Sequence, residues 1–214
     1  MNENLTELVF ILDRSGSMSG LERDTIGGFN SMLEKQKKES GEAFVTTVLF
    51  DDKYKLLHDR NDIKRVNAIT EKEYYVRGST ALLDAIGITI NNIGIALSDT
   101  NEEERPGKVL FVIITDGMEN SSREFSYEKI KEMVEHQKSK YAWDFIFLGA
   151  NIDAIMTAGS FGISADRAAN FVSDSSGTQL NYRVVSEAVS CIRKGRNVDA
   201  SWKKEIEKDY KRRG

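Results

Sequence analysis

The sequence has very few of the residues that build redox, zinc or histidine-based catalytic centres. Its 214 residues include one cysteine, one proline and two histidines. The single Cys191 can form neither an internal disulfide nor a cysteine-based zinc site. His58 and His136 leave little material for a catalytic centre that depends on imidazole. This composition argues against a catalytic centre that depends on histidine or cysteine, and we single out no catalytic residue.

The chain also lacks an excess of positive charge, a long apolar run and a signal-like start. It has 30 Lys and Arg against 34 Asp and Glu, a net charge of -4, whereas general nucleic-acid binding needs surplus positive charge to neutralise phosphates. No apolar run approaches the ~20 residues that span a bilayer. The start, MNENLTEL, has two glutamates and no basic segment before an apolar one, so it does not resemble a secretory signal. We expect a cytoplasmic protein that contacts neither nucleic acid nor membrane.

Apolar runs of strand length alternate with segments of helical period along most of the chain. Leu8–Leu12 and Val109–Ile114 contain no polar residue, which is typical of parallel strands buried on both faces. The other predicted strands are Phe44–Phe50, Tyr54–Leu57 (as an antiparallel hairpin partner), Phe145–Leu148 and Ala169–Val172. Predicted helices lie within residues 21–36, 82–97, 130–137, 154–158 and 178–193. The alternation predicts one α/β domain with a mostly parallel sheet covered by helices.

The last residues differ from this body in composition. Residues 199–214 are densely charged, and Val198, Trp202, Ile206 and Tyr210 recur at four-residue spacing, which predicts a polar helix with a narrow apolar stripe. We therefore divide the chain into an α/β domain, 1–195, and a charged amphipathic helix or tail, 196–214. Two hypotheses stay open for the tail: it packs on its own domain, or it docks a partner.

Three polar clusters lie in loops beside predicted strands and helices. Asp13, Ser15 and Ser17 follow the first buried strand, Thr80 precedes the helix that starts near Leu82, and Asp116 follows Val109–Ile114. Loops that leave the carboxyl ends of parallel strands form the ligand crevice of an open sheet. Two of the clusters must lie there, and the one with Thr80 can reach it.

These side chains offer two carboxylates and three hydroxyls, with no imidazole and no thiolate. Oxygen-only donor sets suit hard divalent cations, so we expect Mg²⁺, with Mn²⁺ or Ca²⁺ as alternatives. The spacing of Asp13, Ser15 and Ser17 lets alternate side chains converge on one point, and Gly16 lets the backbone bend between them. Turn and capping roles explain each cluster alone, but the three together favour a metal site.

The segments LVFILDRSGSM, GSTALLDAI and VIITDGMEN resemble the von Willebrand factor A (VWA) domain with its metal-ion-dependent adhesion site (MIDAS). The family pattern, D-x-S-x-S followed by a downstream T and D, is met by Asp13, Ser15, Ser17, Thr80 and Asp116. The resemblance spans about residues 5–193 in element order, while its specific motifs cover only the three loops. It implies a Rossmann-like three-layer α/β/α fold, with a mostly parallel six-stranded sheet and one antiparallel edge strand.

The resemblance also implies how the site works. In the family the two serines ligate the cation directly, the threonine and aspartates bind directly or through water, and the remaining position accepts an acidic side chain of a partner protein. A hydroxyl-rich shell leaves much of the cation's charge uncompensated, which favours capture of a carboxylate over simple storage of the ion. Arg14, Glu119 and Asn120 are candidates for the partner-binding rim. The expected partner is a protein that presents an Asp or Glu, and the resemblance suggests an AAA+ ATPase or a multi-protein assembly.

Two alternatives to a metal-dependent binding module stay open. A Mg²⁺-dependent phosphoryl hydrolase of haloacid-dehalogenase type also places an Asp after its first buried strand. That class uses D-x-D, however, and Ser15 stands at the second position, where a hydroxyl cannot transfer the proton without an activating base. In the other alternative the three loops are purely structural and the tail is the working surface.

Overall fold

Six strands and six α-helices follow one another along the chain in the predicted order. The computed structural model describes all residues, Met1–Gly214. The elements are β1 (Asn2–Asp13), α1 (Glu22–Lys37), β2 (Glu42–Phe50), β3 (Tyr54–Asp62), α2 (Leu82–Ser98), β4 (Pro106–Thr115), α3 (Tyr127–Tyr141), β5 (Asp144–Gly149), α4 (Ala154–Ser160), β6 (Ala168–Asn170), α5 (Ser175–Arg193) and α6 (Lys204–Arg213). None of these helices is both long and apolar enough to span a lipid bilayer.

The strands form one six-stranded sheet in the order β3-β2-β1-β4-β5-β6. All neighbouring pairs are parallel except β2 and β3, which are antiparallel and form one edge. The predicted fold class, a mostly parallel sheet with one antiparallel edge strand, is therefore confirmed. Chain order reverses between β1 and β4, and in open α/β sheets the crevice at the carboxyl ends of such strands is where ligands bind.

The two faces of the sheet carry separate apolar cores. Along β1, Leu8, Phe10 and Leu12 belong to the core beneath α1 and α5, while Val9 and Ile11 belong to the core beneath α2, α3 and α4. Successive side chains of a strand point to opposite faces, so a strand covered on both sides must be apolar at every position. This is why the unbroken runs in the sequence mark the central strands.

Two central strands begin earlier than their apolar runs. β1 starts at Asn2 rather than Leu8, and β4 starts at Pro106 rather than Val109. Asn2 pairs with Pro106, so the extensions belong to the same strand pair. A proline has no amide hydrogen to donate, and it is tolerated at the first position of a strand. Apolar patterning therefore marks the buried part of each strand and misses its more polar start.

The C-terminal tail packs against its own domain. Val198 and Ile206 are buried in the core beneath α1 and α5. The indole Nε1 of Trp202 donates to the carbonyl oxygen of Asp166 at 2.8 Å, and Tyr210 is partly exposed. Of the two hypotheses for the tail, the structure shows the packing of its apolar stripe on the α/β domain.

Candidate metal centre

Asp13 connects the loop after β1 to the end of β4. Its side chain is buried, and Oδ1 accepts a hydrogen bond from the backbone N–H of Ser15 at 2.7 Å. Oδ2 accepts from the hydroxyl of Thr115 at 2.6 Å and lies 3.4 Å from the backbone nitrogen of Asp116. The last residue of one central strand is thus held against the end of the neighbouring one, at the point where chain order reverses.

The three predicted hydroxyl ligands meet in one place. Ser15 Oγ lies 3.1 Å from Ser17 Oγ and 3.0 Å from Thr80 Oγ1. Adjacent oxygens of an octahedron with the Mg–O distance of 2.0–2.1 Å are about 2.8–3.0 Å apart, close to these spacings. Gly117 brings the β4 loop into the same cluster, since a Cβ at this position would lie 3.1 Å from Ser17 Oγ and 3.6 Å from Thr80 Oγ1.

Asp116 is held by two residues that the sequence did not single out. Its Oδ1 accepts a hydrogen bond from the Asn151 side-chain amide, and its Oδ2 accepts one from the Ser173 hydroxyl. Asn151 has a left-handed backbone with φ of 56°, a conformation that asparagine adopts more readily than most residues. Asn151 follows β5 and Ser173 follows β6, so the rule that polar residues after parallel strands share one edge could have found both.

The two carboxylates have no basic side chain to balance them. Burial raises the pKa of Asp13, against the opposing effect of hydrogen bonds from Ser15 and Thr115. Burial also raises the pKa of Asp116, and the negative charge of Asp13 raises it further. No salt bridge reaches either residue; the neighbouring Arg14 pairs with Asp51 instead.

This donor set fits a hard divalent cation. Every candidate ligand atom is an oxygen, and oxygen is the ligand atom that Mg²⁺ and Mn²⁺ prefer. No group of three or more His, Cys, Asp or Glu side chains is arranged to hold a metal ion anywhere in the chain. The centre would therefore rely on hydroxyls, with only two carboxylates to balance the charge.

Arg14 is not on the rim of this cluster, where the sequence led us to expect it. Its side chain is 3% exposed, and its Nε lies 2.7 Å from Asp51 Oδ2. The two atoms are not aligned for a hydrogen bond, so the pair is a charge contact. The guanidinium also lies over the ring of Tyr75, 5.1 Å from its centroid. The ends of β1 and β2 are adjacent, and this brings Arg14 to a buried acid instead of to solvent.

Glu119 and Asn120 lie in the loop after β4, beside the cluster. Glu119 is half-buried, and its Oε2 accepts a hydrogen bond from the backbone N–H of Leu83 at 2.9 Å. Asn120 is exposed, but its Oδ1 accepts one from the backbone N–H of Thr80 at 2.9 Å. Glu119 therefore contacts the first turn of α2, and Asn120 contacts Thr80 just before it.

Several solved structures superpose on most of this chain. A von Willebrand factor type A structure from Catenulispora acidiphila matches 86% of this chain and 42% of its own, with 14% identity and a TM-score of 0.55. The ArnB paralog VWA2 from Sulfolobus acidocaldarius matches 87% of this chain and 45% of its own, with 18% identity and a TM-score of 0.51. This chain has the von Willebrand factor A fold.

Structures of a mussel protein also share this VWA fold. Proximal thread matrix protein 1 from the mussel byssus matches 88% of this chain and 47% of its own, with 13% identity and a TM-score of 0.59. A further structure of that mussel protein, with 14% identity, a TM-score of 0.57 and coverage of 86% of this chain and 46% of its own, has a zinc-occupied MIDAS motif. This chain spans less than half the length of each of these structures. No protein-family model and no curated protein matches it.

Proposed function

We propose that this chain is a non-catalytic protein-binding module of VWA type that captures an acidic side chain of a partner protein through a divalent cation. Asp13, Ser15, Ser17, Thr80 and Asp116 would hold the ion. The observation that supports this most strongly is the convergence of three hydroxyl oxygens, 3.0 and 3.1 Å apart, beside two buried carboxylates that lack a basic partner.

The oxygen donors of the site suit a hard divalent cation such as Mg²⁺ or Mn²⁺. The spacings of 3.0 and 3.1 Å between the hydroxyl oxygens fit such an ion but do not select among Mg²⁺, Mn²⁺ and Ca²⁺, because the higher coordination numbers of Ca²⁺ place its ligands equally close. We take Mg²⁺ as the proposed physiological ion, and Mn²⁺ is a suitable spectroscopic substitute for it.

The proposed ligands have different roles in the site. Asp13 and Asp116 supply negative charge, and hydrogen bonds from Thr115, Asn151 and Ser173 keep their oxygens in place. The serine and threonine hydroxyls offer lone pairs without adding charge. A bound divalent cation would supply a positive centre with an open coordination position, which attracts a carboxylate from another protein.

The hydrolase alternative has less support from the same geometry. The Ser15 hydroxyl stands at the position where that class has an acid–base aspartate, and it lies 3.1 and 3.0 Å from the hydroxyls of Ser17 and Thr80 and beside the carboxylate of Asp13. A serine hydroxyl does not itself transfer a proton at neutral pH as that aspartate would. Turnover of a generic phosphate ester that disappears in Asp13→Asn would favour the hydrolase instead.

Metal binding is tested by titrating the protein with Mn²⁺ and counting bound ions by electron paramagnetic resonance. We expect one ion in the wild type, displaced by Mg²⁺, and none in the double variant Ser15→Ala, Ser17→Ala. The matched control is Ser19→Ala, because Ser19 is exposed in the same loop and is not a proposed ligand. Equal Mn²⁺ binding by the wild type and the double variant would refute the proposed site.

Capture of an acid is tested separately with propionate, which has the carboxyl group of a glutamate side chain. Bound Mn²⁺ with an exchangeable water enhances the relaxation of water protons, and a carboxylate that takes that position lowers the enhancement. We expect propionate to lower it and propionamide to have no effect. If neither changes it, the metal site stands but the proposed capture of an acidic side chain does not.

A further inference from the structure

The loop between β4 and α3, residues 116–126, is hydrogen-bonded to the start of α2 and to Thr80. We call it the β4–α3 loop. Asn120 and Thr80 exchange two hydrogen bonds: Asn120 Oδ1 accepts from the backbone N–H of Thr80 at 2.9 Å, and the backbone N–H of Asn120 donates to the Thr80 carbonyl at 3.0 Å. The backbone N–H of Ser121 also donates to that carbonyl, at 3.2 Å. Both backbone polar groups of one proposed metal ligand are thus bound by this loop.

The rest of the loop satisfies the free amides at the first turn of α2. Helices begin with amides that have no partner within the helix, and the residue before α2, Ala81, has no side chain that could cap them. Glu119 accepts from the N–H of Leu83, and the Ser122 hydroxyl accepts from the N–H of Asp84 at 3.0 Å.

The side chain of Asp84, in the first turn of α2, binds the loop in turn. Its carboxylate accepts hydrogen bonds from three successive backbone amides of the β4–α3 loop, at 2.8, 2.9 and 3.0 Å; these are the amides of Arg123, Glu124 and Phe125. The loop and the helix start are therefore joined by hydrogen bonds in both directions.

These contacts matter to a metal site because the hydroxyl of Thr80 must stay about 3 Å from that of Ser15 for both to bind one ion. The position of the Thr80 hydroxyl depends on the position of the Thr80 backbone. Without the Asn120 side chain, the N–H of Thr80, a buried residue, would lose its partner from the loop. The Thr80 carbonyl would keep its two backbone donors, so the loop would hold Thr80 less firmly, through one polar group instead of two.

We propose that Asn120 is a positioning residue for the metal centre: it holds Thr80 at the distance that coordination requires. This inference rests on the proposed metal site and goes beyond it, because it assigns to a predicted rim residue a role inside the site. The loss of groups that orient metal ligands typically lowers metal affinity about 10–100-fold. We expect the lower end of this range, because Thr80 is one ligand of five.

The experiment compares Mn²⁺ affinity with thermal stability in a set of full-length variants. Asn120→Ala should raise the Kd for Mn²⁺ about tenfold. Asn120→Asp keeps an oxygen that can accept from Thr80 and should bind Mn²⁺ at least as tightly as the wild type. Asn101→Ala is the matched control: Asn101 is also an exposed loop asparagine, and its side chain contacts only Glu104. It should leave the Kd unchanged.

A purely structural role is distinguished by Ser122→Ala, which removes a bond to α2 without touching Thr80. We expect this variant to lower the melting temperature in chelator and leave the Kd for Mn²⁺ unchanged. If the Kd of Asn120→Ala equals that of the wild type, or if Ser122→Ala weakens Mn²⁺ binding as much as Asn120→Ala does, the positioning role is refuted. If the wild type itself binds no Mn²⁺, the proposed function fails first, so the two failures are distinguishable.

Discussion

Replacing Asp116 by asparagine should have opposite effects on stability with and without metal. The substitution removes one negative charge and keeps the size of the side chain. The asparagine oxygen can still accept from Asn151, and its amide can donate to Ser173, because a hydroxyl both donates and accepts. The contacts of Asp116 with these two residues are thus retained, and the main change is in charge.

In the absence of metal, the variant should be the more stable protein at neutral pH. Burial and the charge of Asp13 raise the pKa of Asp116 in the folded state above the ordinary value for an aspartate. The contribution of such a carboxyl to the free energy of unfolding is complete at pH values below its pKa in the unfolded chain. That contribution is lost as the pH rises through its pKa in the folded protein. Each unit of pKa difference corresponds to about 1.4 kcal/mol, or about 3–6 °C in Tm for a domain of this size. The stability advantage of the variant should therefore shrink as the pH is lowered from 7 toward 4.

Saturation with Mg²⁺ should reverse the order. A ligand at 100 times its Kd stabilises the folded state by about 2.7 kcal/mol, which is about 5–11 °C in a domain of this length. The wild type should gain this increment, and the variant, with half the carboxylate charge of the site, should gain much less. The assay is thermal unfolding followed by circular dichroism, in chelator and in excess Mg²⁺, across this pH range.

Two results would refute the reasoning. If the variant is less stable than the wild type in chelator at pH 7, or if the gap does not depend on pH, Asp116 does not carry a costly buried charge. An equal gain from Mg²⁺ in both proteins would mean that Asp116 takes no part in binding the ion.

Three further predictions concern the rest of the site and the fold. Gly117→Ala places a methyl group against two hydroxyls of the site and should weaken Mn²⁺ binding in titrations; unchanged affinity would contradict the convergence of these loops. Ile206→Ala empties a buried position in the tail and should cost about 2–5 kcal/mol in urea unfolding, whereas Tyr210→Ala should cost much less; equal costs would argue against the packed tail. Arg14→Met leaves Asp51 as a buried, partly balanced charge and should cost about 3–5 kcal/mol; a cost below 1 kcal/mol would indicate an exposed Arg14.

The fold could be predicted from local patterns because length and periodicity together narrow the choice of element. Runs such as Leu8–Leu12 are apolar at every position but too short for a typical buried helix, which favours a strand covered on both faces. Helical periodicity between the runs supplies the covering layers. The ends of the two central strands then place Asp13 and Asp116 together, since neighbouring parallel strands share one edge of the sheet.

The sequence by itself therefore determined the α/β architecture and the five oxygen-bearing residues of the candidate centre. Only the tertiary structure decided which contacts their neighbours make. Arg14 lies beside Asp51 because β1 and β2 end side by side, and Asn151 and Ser173 reach Asp116 only when three strands far apart in the chain are aligned. Periodicity records which faces of an element are buried, but the partner of a polar side chain depends on segments that are distant in sequence, and no local pattern encodes that pairing.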